Sequence, residues 1–193
     1  KKWFVDYQLS ESFSKISFSY EFRKLYENNR DLNLRVFTGY FIHNKNNQSN
    51  SYFNYSLDRP TDYLYDYNYY GRSENNGFFS QQIIMAEGGF KSKLINSNSN
   101  NFISTLNLSS TIWKNLLLYI DMGLLKTSLD DSFRFVYDTG IRLNIITDYF
   151  EIYFPIKSSN ELELNSSKYN EKIRFLFTFE PDVLLGLFRR KWY

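Results

Sequence analysis

At 193 residues the chain has the length of one average domain or one modest barrel, and too little for a second full domain. A formal net charge of +2, with 42% hydrophobic and 23% charged residues, argues against a disordered polyelectrolyte and against a nucleic-acid-binding surface. Cysteine is absent, which excludes disulfide frameworks, zinc–thiolate sites and thiol nucleophiles, and a single histidine, His43, leaves little basis for a histidine metal site or a Ser-His-Asp triad.

The remaining composition points to strands. Aromatic residues make up 20% of the chain, with 19 Phe and 17 Tyr against 8 Gly and 3 Pro, and Phe and Tyr favour a pleated, half-buried surface. The first residues, "KKWFVDYQ", carry neither an initiator Met nor an apolar signal segment, so a processed chain or a piece of a longer one is expected. No run approaches the roughly 20 apolar residues of a membrane helix. The greasiest, Leu116 to Ile120, is broken by Asp121.

Period-two alternation begins early and recurs to the end. In the first long stretch Ile16, Phe18, Tyr20 and Phe22 oppose Lys15, Ser17, Ser19, Glu21 and Arg23. "ENNRD" turns the chain, and Leu32, Leu34, Val36, Tyr40 and Ile42 continue the apolar face, opposed by Asn33, Arg35 and His43. Further on, Leu106, Leu108 and Ile112 oppose Thr105, Asn107, Ser109 and Thr111. After "KN", Leu116, Leu118, Ile120, Met122 and Leu124 oppose Tyr119, Asp121 and Gly123. Phe133, Phe135, Tyr137, Ile141, Leu143 and Ile145 then oppose Arg134, Asp138, Gly140, Arg142 and Asn144. "TD" leads into Phe150, Ile152, Phe154 and Ile156, and "KIRFLFTF" sets Ile173, Phe175, Phe177 and Phe179 against Arg174 and Thr178.

These patterns predict an all-β chain of about ten antiparallel strands, near 2–9, 12–26, 31–43, 52–58, 78–95, 101–113, 116–126, 133–146, 149–157 and 169–179. Short turns alternate with longer polar loops such as "HNKNNQSNS", "KTSLDDS" and "KSSNELELNSSK". That asymmetry fits an outer-membrane β-barrel, possibly part of a larger one, whose tight turns lie in the periplasm and whose long loops lie outside. Strand parity makes 59–77 a long periplasmic segment or one folded back into the lumen.

A soluble, lipocalin-like ligand-binding barrel shows the same alternation, because alternation says that one face is apolar and not which way it points. Three features favour lipid. The polar face mixes both charge signs, so a narrow lumen lined by Arg35, Glu87, Asp121, Asp138, Arg142, Glu151 and Arg174 as a paired network is expected. The apolar face carries almost no charge, which would cost roughly 2–4 kcal/mol at a bilayer midplane. Trp3, Tyr26, Trp113, Tyr149 and Tyr169 fall near strand ends, where rings half in water belong.

Two segments break the rhythm. Residues 57–77 mix Asp58, Arg59, Asp62, Asp66 and Arg72 with tyrosines including Tyr63 and Tyr70, a blend suited to docking on another polar protein surface and equally to a solvated loop. Their spacing matches no EF-hand calcium loop. Residues 180–193 form the other break: Pro181 and Asp182 resemble a helix start, Val183, Leu184, Leu187 and Phe188 would share a face, and Arg189, Arg190, Lys191 and Trp192 follow. A short periplasmic amphipathic tail at the membrane interface is expected, with a disordered tail as the alternative. No phosphate loop, nucleophile elbow or set of metal carboxylates at helical spacing is present, so no catalytic residue is assigned.

Three stretches carry a family resemblance: "SLDRPTDYLYDYNYYGRSENNGFFSQQIIMAEGGFKSKL", "FVYDTGIRLNIITDYFEIYFPI" and "YNEKIRFLFTFEPDVLLGLFRRKWY". Over about residues 52–193 the chain resembles the C-terminal region of large proteins of Bacteroidota, Flavobacterium-like bacteria especially, classed with aminopeptidase-N-like gluzincin metallopeptidases. The resemblance implies a membrane-embedded anchor or scaffold in the bacterial outer membrane, whose partners are lipid, a peptidase-like domain upstream and other outer-membrane subunits. Any zinc would belong to that upstream domain. The family's H-E-x-x-H motif is absent here, since His43 stands in "FIHNKNN", so no metal or catalytic residue carries over. A small porin-like channel and the soluble ligand-binding barrel stay open as other functions.

Overall fold

The computed structural model describes residues 1–26, 30–45, 53–56, 83–84, 90–91, 98–146, 150–159 and 168–177. The alternating stretches become long strands: β1 (Lys2–Leu9), β2 (Phe13–Tyr26), β3 (Arg30–Asn44), β7 (Phe102–Trp113), β8 (Leu116–Lys126), β9 (Arg134–Ile146) and β10 (Phe150–Ser158), followed by the shorter β11 (Arg174–Phe177). Between β3 and β7 lie three two-residue strands, β4 (Tyr55–Ser56), β5 (Ile83–Ile84) and β6 (Asn98–Ser99), and one helical turn, α1 (Tyr169–Lys172), precedes β11.

The eight longer strands form one antiparallel sheet in the order β1-β2-β3-β7-β8-β9-β10-β11, with β5 parallel to β11 at its far edge. The neighbour that is remote in sequence is β7, which pairs with β3 from Leu32↔Ser110 to Tyr40↔Phe102. β4 pairs with β6 in a separate two-stranded ladder. The tightest turn joins β7 to β8 through Lys114 and Asn115. Lys114 takes φ 45°, the left-handed region that two-residue hairpins require. Asn115 then ties the turn to β9, its carbonyl accepting from the Asn144 N–H and its side-chain amide donating to the Asn144 carbonyl, both at 2.9 Å.

Burial is inverted relative to an ordinary water-soluble sheet. On β7, β8, β9 and β10 every second residue is buried, and the buried register holds the charged and amide side chains Asn107, Asp121, Asp138, Arg142, Asn144 and Glu151 with Thr105 and Ser109, beside Ile103, Leu117, Tyr119, Leu125, Val136 and Tyr153. The opposite face is apolar and open. Leu118 is 40% exposed, Phe135 56% and Ile156 61%. Large exposed apolar area of this extent marks a surface meant for something other than water.

The inner face is graded from end to end. Where β3 ends and β7 begins it turns apolar, with Phe13, Phe41, Tyr55, Phe90, Ile103, Leu125 and Val136 forming the main cluster, against which Phe37 and Phe53 pack. The same end is stitched by polar side chains. Asn44 donates to the carbonyls of Phe53 and Asn100 at 3.3 Å, and Asn100 donates to the Ser128 hydroxyl at 2.8 Å. This is also the end at which the 127–133 connection sits, whereas the turn at 114–115 lies at the other end.

Several expectations are corrected. The described strands make an open sheet of eight antiparallel strands, not a closed ten-stranded barrel, with β1 and β5 at its edges. The predicted strands 52–58 and 78–95 do not enter the ladder between β3 and β7, because those two long strands satisfy each other's backbone groups directly. Of the described residues in 52–58, Tyr55 and Ser56 form a two-residue strand, and Tyr55 turns inward as packing material. The predicted start of the last strand at 169 is instead the α1 turn, with the strand beginning at Arg174. Residues 59–77 and 180–193 lie outside the described residues. Among the described residues no helix is long and apolar enough to cross a membrane, which says nothing about strands.

Candidate polar interior

The densest chemistry lies on the inner face of β7 to β10, halfway along the strands. Strand pleating puts Asn107, Asp121 and Asp138 on one face, and the ladder aligns them: Asn107 is opposite Asp121, and Asp121 is opposite Asp138. Two carboxylates facing each other across a ladder repel, and both are buried, so a compensating cation is required. Lys91, from the connection between β3 and β7, brings a cation to Asp121. Its ammonium lies 3.1 Å from Asp121 Oδ2, with both side chains 2% exposed. Asp121 Oδ1 accepts from the Asn107 amide at 2.7 Å.

Lys91 also sits over two aromatic rings, 5.7 Å from the centroid of Tyr119 and 5.2 Å from that of Tyr153. Those tyrosines belong to strands two apart in the sheet, yet their rings meet edge-on at 5.3 Å. Gly140, on the strand between, makes this possible: a Cβ there would lie 2.8 Å from the Tyr119 ring and 2.2 Å from the Phe154 carbonyl oxygen. The absence of a side chain lets Tyr119 lean across β9.

A second ionic group adjoins the first toward the short-turn end. Arg142 binds Glu151 through Nη2, donates from Nε to Asn144 Oδ1 at 2.8 Å, and lies over the Tyr153 ring at 5.8 Å. The other Glu151 oxygen accepts from the Tyr153 hydroxyl at 2.8 Å. Planar guanidinium, carboxylate and phenol thus satisfy one another while buried, the condition under which a buried pair avoids a net penalty. On β3 and β7 a smaller group repeats the theme. The Thr111 hydroxyl donates to Asp31 Oδ1 at 2.5 Å and accepts from the Asp31 N–H at 3.0 Å.

Of the residues predicted to line the lumen, Asp121, Asp138, Arg142, Glu151 and Arg174 all lie buried on the inner face of consecutive strands β8 to β11. Arg35 lies on the same face two strands away, half-buried, 3.7 Å from Glu21 and over the Phe37 ring. Glu87 lies outside the described residues, as do all the docking residues of 58–72 (Asp58, Arg59, Asp62, Tyr63, Asp66, Tyr70 and Arg72) and the tail residues Arg189, Arg190, Lys191 and Trp192. Lys91, Tyr119 and Tyr153 are not among the residues the sequence assigns to this network. Their signal was parity, since both tyrosines fall in the polar register of their strands.

No metal chemistry gathers here. Among the described residues no group of three or more His, Asp or Glu is placed to hold a metal ion, and His43 is exposed near the end of β3, so these residues do not fit a zinc centre. No family model, curated protein or solved structure matches the chain.

Proposed function

We propose that this chain is a membrane-embedded β-sheet of the outer-membrane barrel type, its apolar face against acyl chains and its polar face enclosed. The observation that carries the reading is the inverted burial: charged and amide side chains are hidden while Leu118, Met122, Phe135 and Ile156 are open. A soluble barrel has the reverse, since its water-facing side must be the polar one. In a bilayer the arrangement is favourable twice over, because lipid-facing positions carry almost no charge and interior charges pair with one another.

The role we assign is structural: an anchor or scaffold in the bacterial outer membrane, carrying a peptidase-like domain of the same chain or complex. This role is supported by the resemblance of residues 52–193 and by an interior built from closed ion pairs rather than an open aqueous lining. Any peptidase activity, and the zinc it would use, belongs to residues beyond this stretch.

The test uses the absence of cysteine. Single cysteines at Phe18 and Phe135, labelled with an environment-sensitive fluorophore, should be quenched by brominated acyl chains once the protein is refolded into vesicles, and carbonate washing should leave it in the pellet. Labels insensitive to the lipid quencher, or protein in the supernatant, would refute the membrane reading. Stepwise ion conductance from the unmodified protein would replace the anchor with a channel.

A further inference from the structure

The outward face of the sheet is apolar along its middle, and its charges stand at strand ends. Among the described residues no strand position on that face holds a carboxylate, because Asp6, Glu21, Asp31, Asp121, Asp138 and Glu151 all fall in the inner register. The two ends differ in their cations. Toward the 114–115 turn stand Lys24 near the end of β2, Arg30 at the start of β3 and Lys114 in the turn itself, all three exposed. Toward the other end Lys126 stands beside a loop whose exposed Asp130 and Asp131 offset it.

Two of the three cations lie over aromatic rings. The Lys24 ammonium is 4.6 Å from the centroid of Tyr26, and that of Lys114 is 5.6 Å from the Trp113 ring. Both rings are open, Tyr26 43% and Trp113 64% exposed, so neither pair serves the packing of the sheet. Lys24 is opposite Leu32 and Tyr26 is opposite Arg30, which sets Lys24 and Arg30 one strand apart and two residues along. That is about 8 Å, less than the screening length of about 10 Å in about 0.1 M salt, so their fields add. Glu27 and Asp148, in neighbouring turns, lie outside the described residues.

We infer that Lys24, Arg30 and Lys114 form a rim that holds the phosphates of anionic phospholipid headgroups. Tyr26 and Trp113 set the depth: an amphipathic ring belongs at the boundary between acyl chain and headgroup, and a cation held on that ring is thereby placed at the level of the phosphates. Complementary charge selects the lipid, since a zwitterionic headgroup offers a choline beside each phosphate and an anionic one does not. The inference rests on the proposed membrane reading and adds a lipid preference confined to one end of the strands.

Trp113 is its own reporter. With Trp3→Phe and Trp192→Phe as background, the protein is refolded into mixed phosphatidylcholine and phosphatidylglycerol vesicles, with one lipid brominated at a time. Brominated phosphatidylglycerol should quench Trp113 more strongly, corresponding to a local enrichment of about fivefold, the factor for one basic residue at a charged membrane surface. Lys24→Gln with Arg30→Gln and Lys114→Asn should bring the ratio to one. Lys114→Asn alone, at a backbone position that asparagine tolerates, should remove most of the preference. Lys24→Arg with Lys114→Arg should keep it. Salt at about 1 M, where the screening length falls to about 3 Å, should reduce it.

Equal quenching by the two brominated lipids in the parent would overturn the rim and leave the membrane reading standing, as would an unchanged preference in both the triple variant and Lys114→Asn. Loss of the preference on adding inorganic phosphate, against sodium chloride of the same ionic strength, would make the cations a site for free phosphate and overturn the lipid assignment. No quenching of Trp113 by either lipid would overturn the membrane reading and the rim with it.

Discussion

Gly140→Ala adds a single methyl group and is expected to be strongly destabilising. The added methyl would lie 2.2 Å from the Phe154 carbonyl oxygen and 2.8 Å from Cε1 and Oη of Tyr119. Neither neighbour yields easily. Phe154 is backbone in the middle of β10, and Tyr119 is buried on β8 with its ring against Tyr153 and Lys91. Overpacking of a tight site costs about 1–3 kcal/mol, and losing the edge-on tyrosine contact adds about 0.5–1.5 kcal/mol. A total near 2–4 kcal/mol follows if the two contributions are independent. Urea unfolding in detergent micelles, followed by tyrosine fluorescence and by gel mobility before and after heating, measures it. Alanine has the higher intrinsic preference for ordered structure, so propensity alone predicts slight stabilisation. A variant within about 0.5 kcal/mol of the parent would refute the claim that this glycine exists to let Tyr119 cross β9.

Three further expectations follow from the same geometry. Arg142→Met should destabilise by about 3–5 kcal/mol by leaving Glu151 buried beside a neutral chain, and Arg142→Met with Glu151→Leu should recover most of it; a double-mutant cycle in urea reads the coupling. Met122→Arg, at the middle of β8 on the apolar face, should cost roughly 2–4 kcal/mol for folding into vesicles and little in a polar-solvated form, so equal stability in lipid would count against the bilayer contact. Asp130 lies in the loop after β8, where the Thr127 N–H donates to its carboxylate at 2.9 Å and lowers its pKa below the usual 3.8. Its contribution to the turn is therefore fully present above the unfolded-state value and lost as pH falls through the lowered folded value. The Thr127 amide shift should titrate with a midpoint below 3.8, and a midpoint at or above it would remove that hydrogen bond from the account.

What the sequence made legible is local. Alternation located β2, β3 and β7 to β10 and told which residues share a face, because pleating makes face membership a matter of parity. It also put Asp121, Asp138, Arg142 and Glu151 together, since their strands are consecutive in the chain and pair in order. What it missed depends on remote partners. That β3 pairs with β7, across more than fifty residues of connection, is invisible to any window of sequence. The pattern at 52–58 looks like a strand for the same reason that Tyr55 works as an inward anchor: both use alternating aromatic and polar positions. Gly39 and Gly140 read only as glycines until the tyrosines lying on them are seen, and Tyr119 in a polar register reads as a tolerated aromatic rather than as half of a cation platform.

The first strand sets a condition on how such a sheet could enter a bilayer. β1 is hydrogen-bonded on one flank by β2 along its whole length, and among the described residues no strand lies on its other flank. About half of its peptide groups point that way, and each one left dry in hydrocarbon costs several kcal/mol. If the sheet enters lipid as proposed, entry would be coupled to zipping up that flank: whatever strand comes alongside would have to arrive before or together with insertion, which would make lateral sealing, rather than the burial of greasy side chains, the committing step.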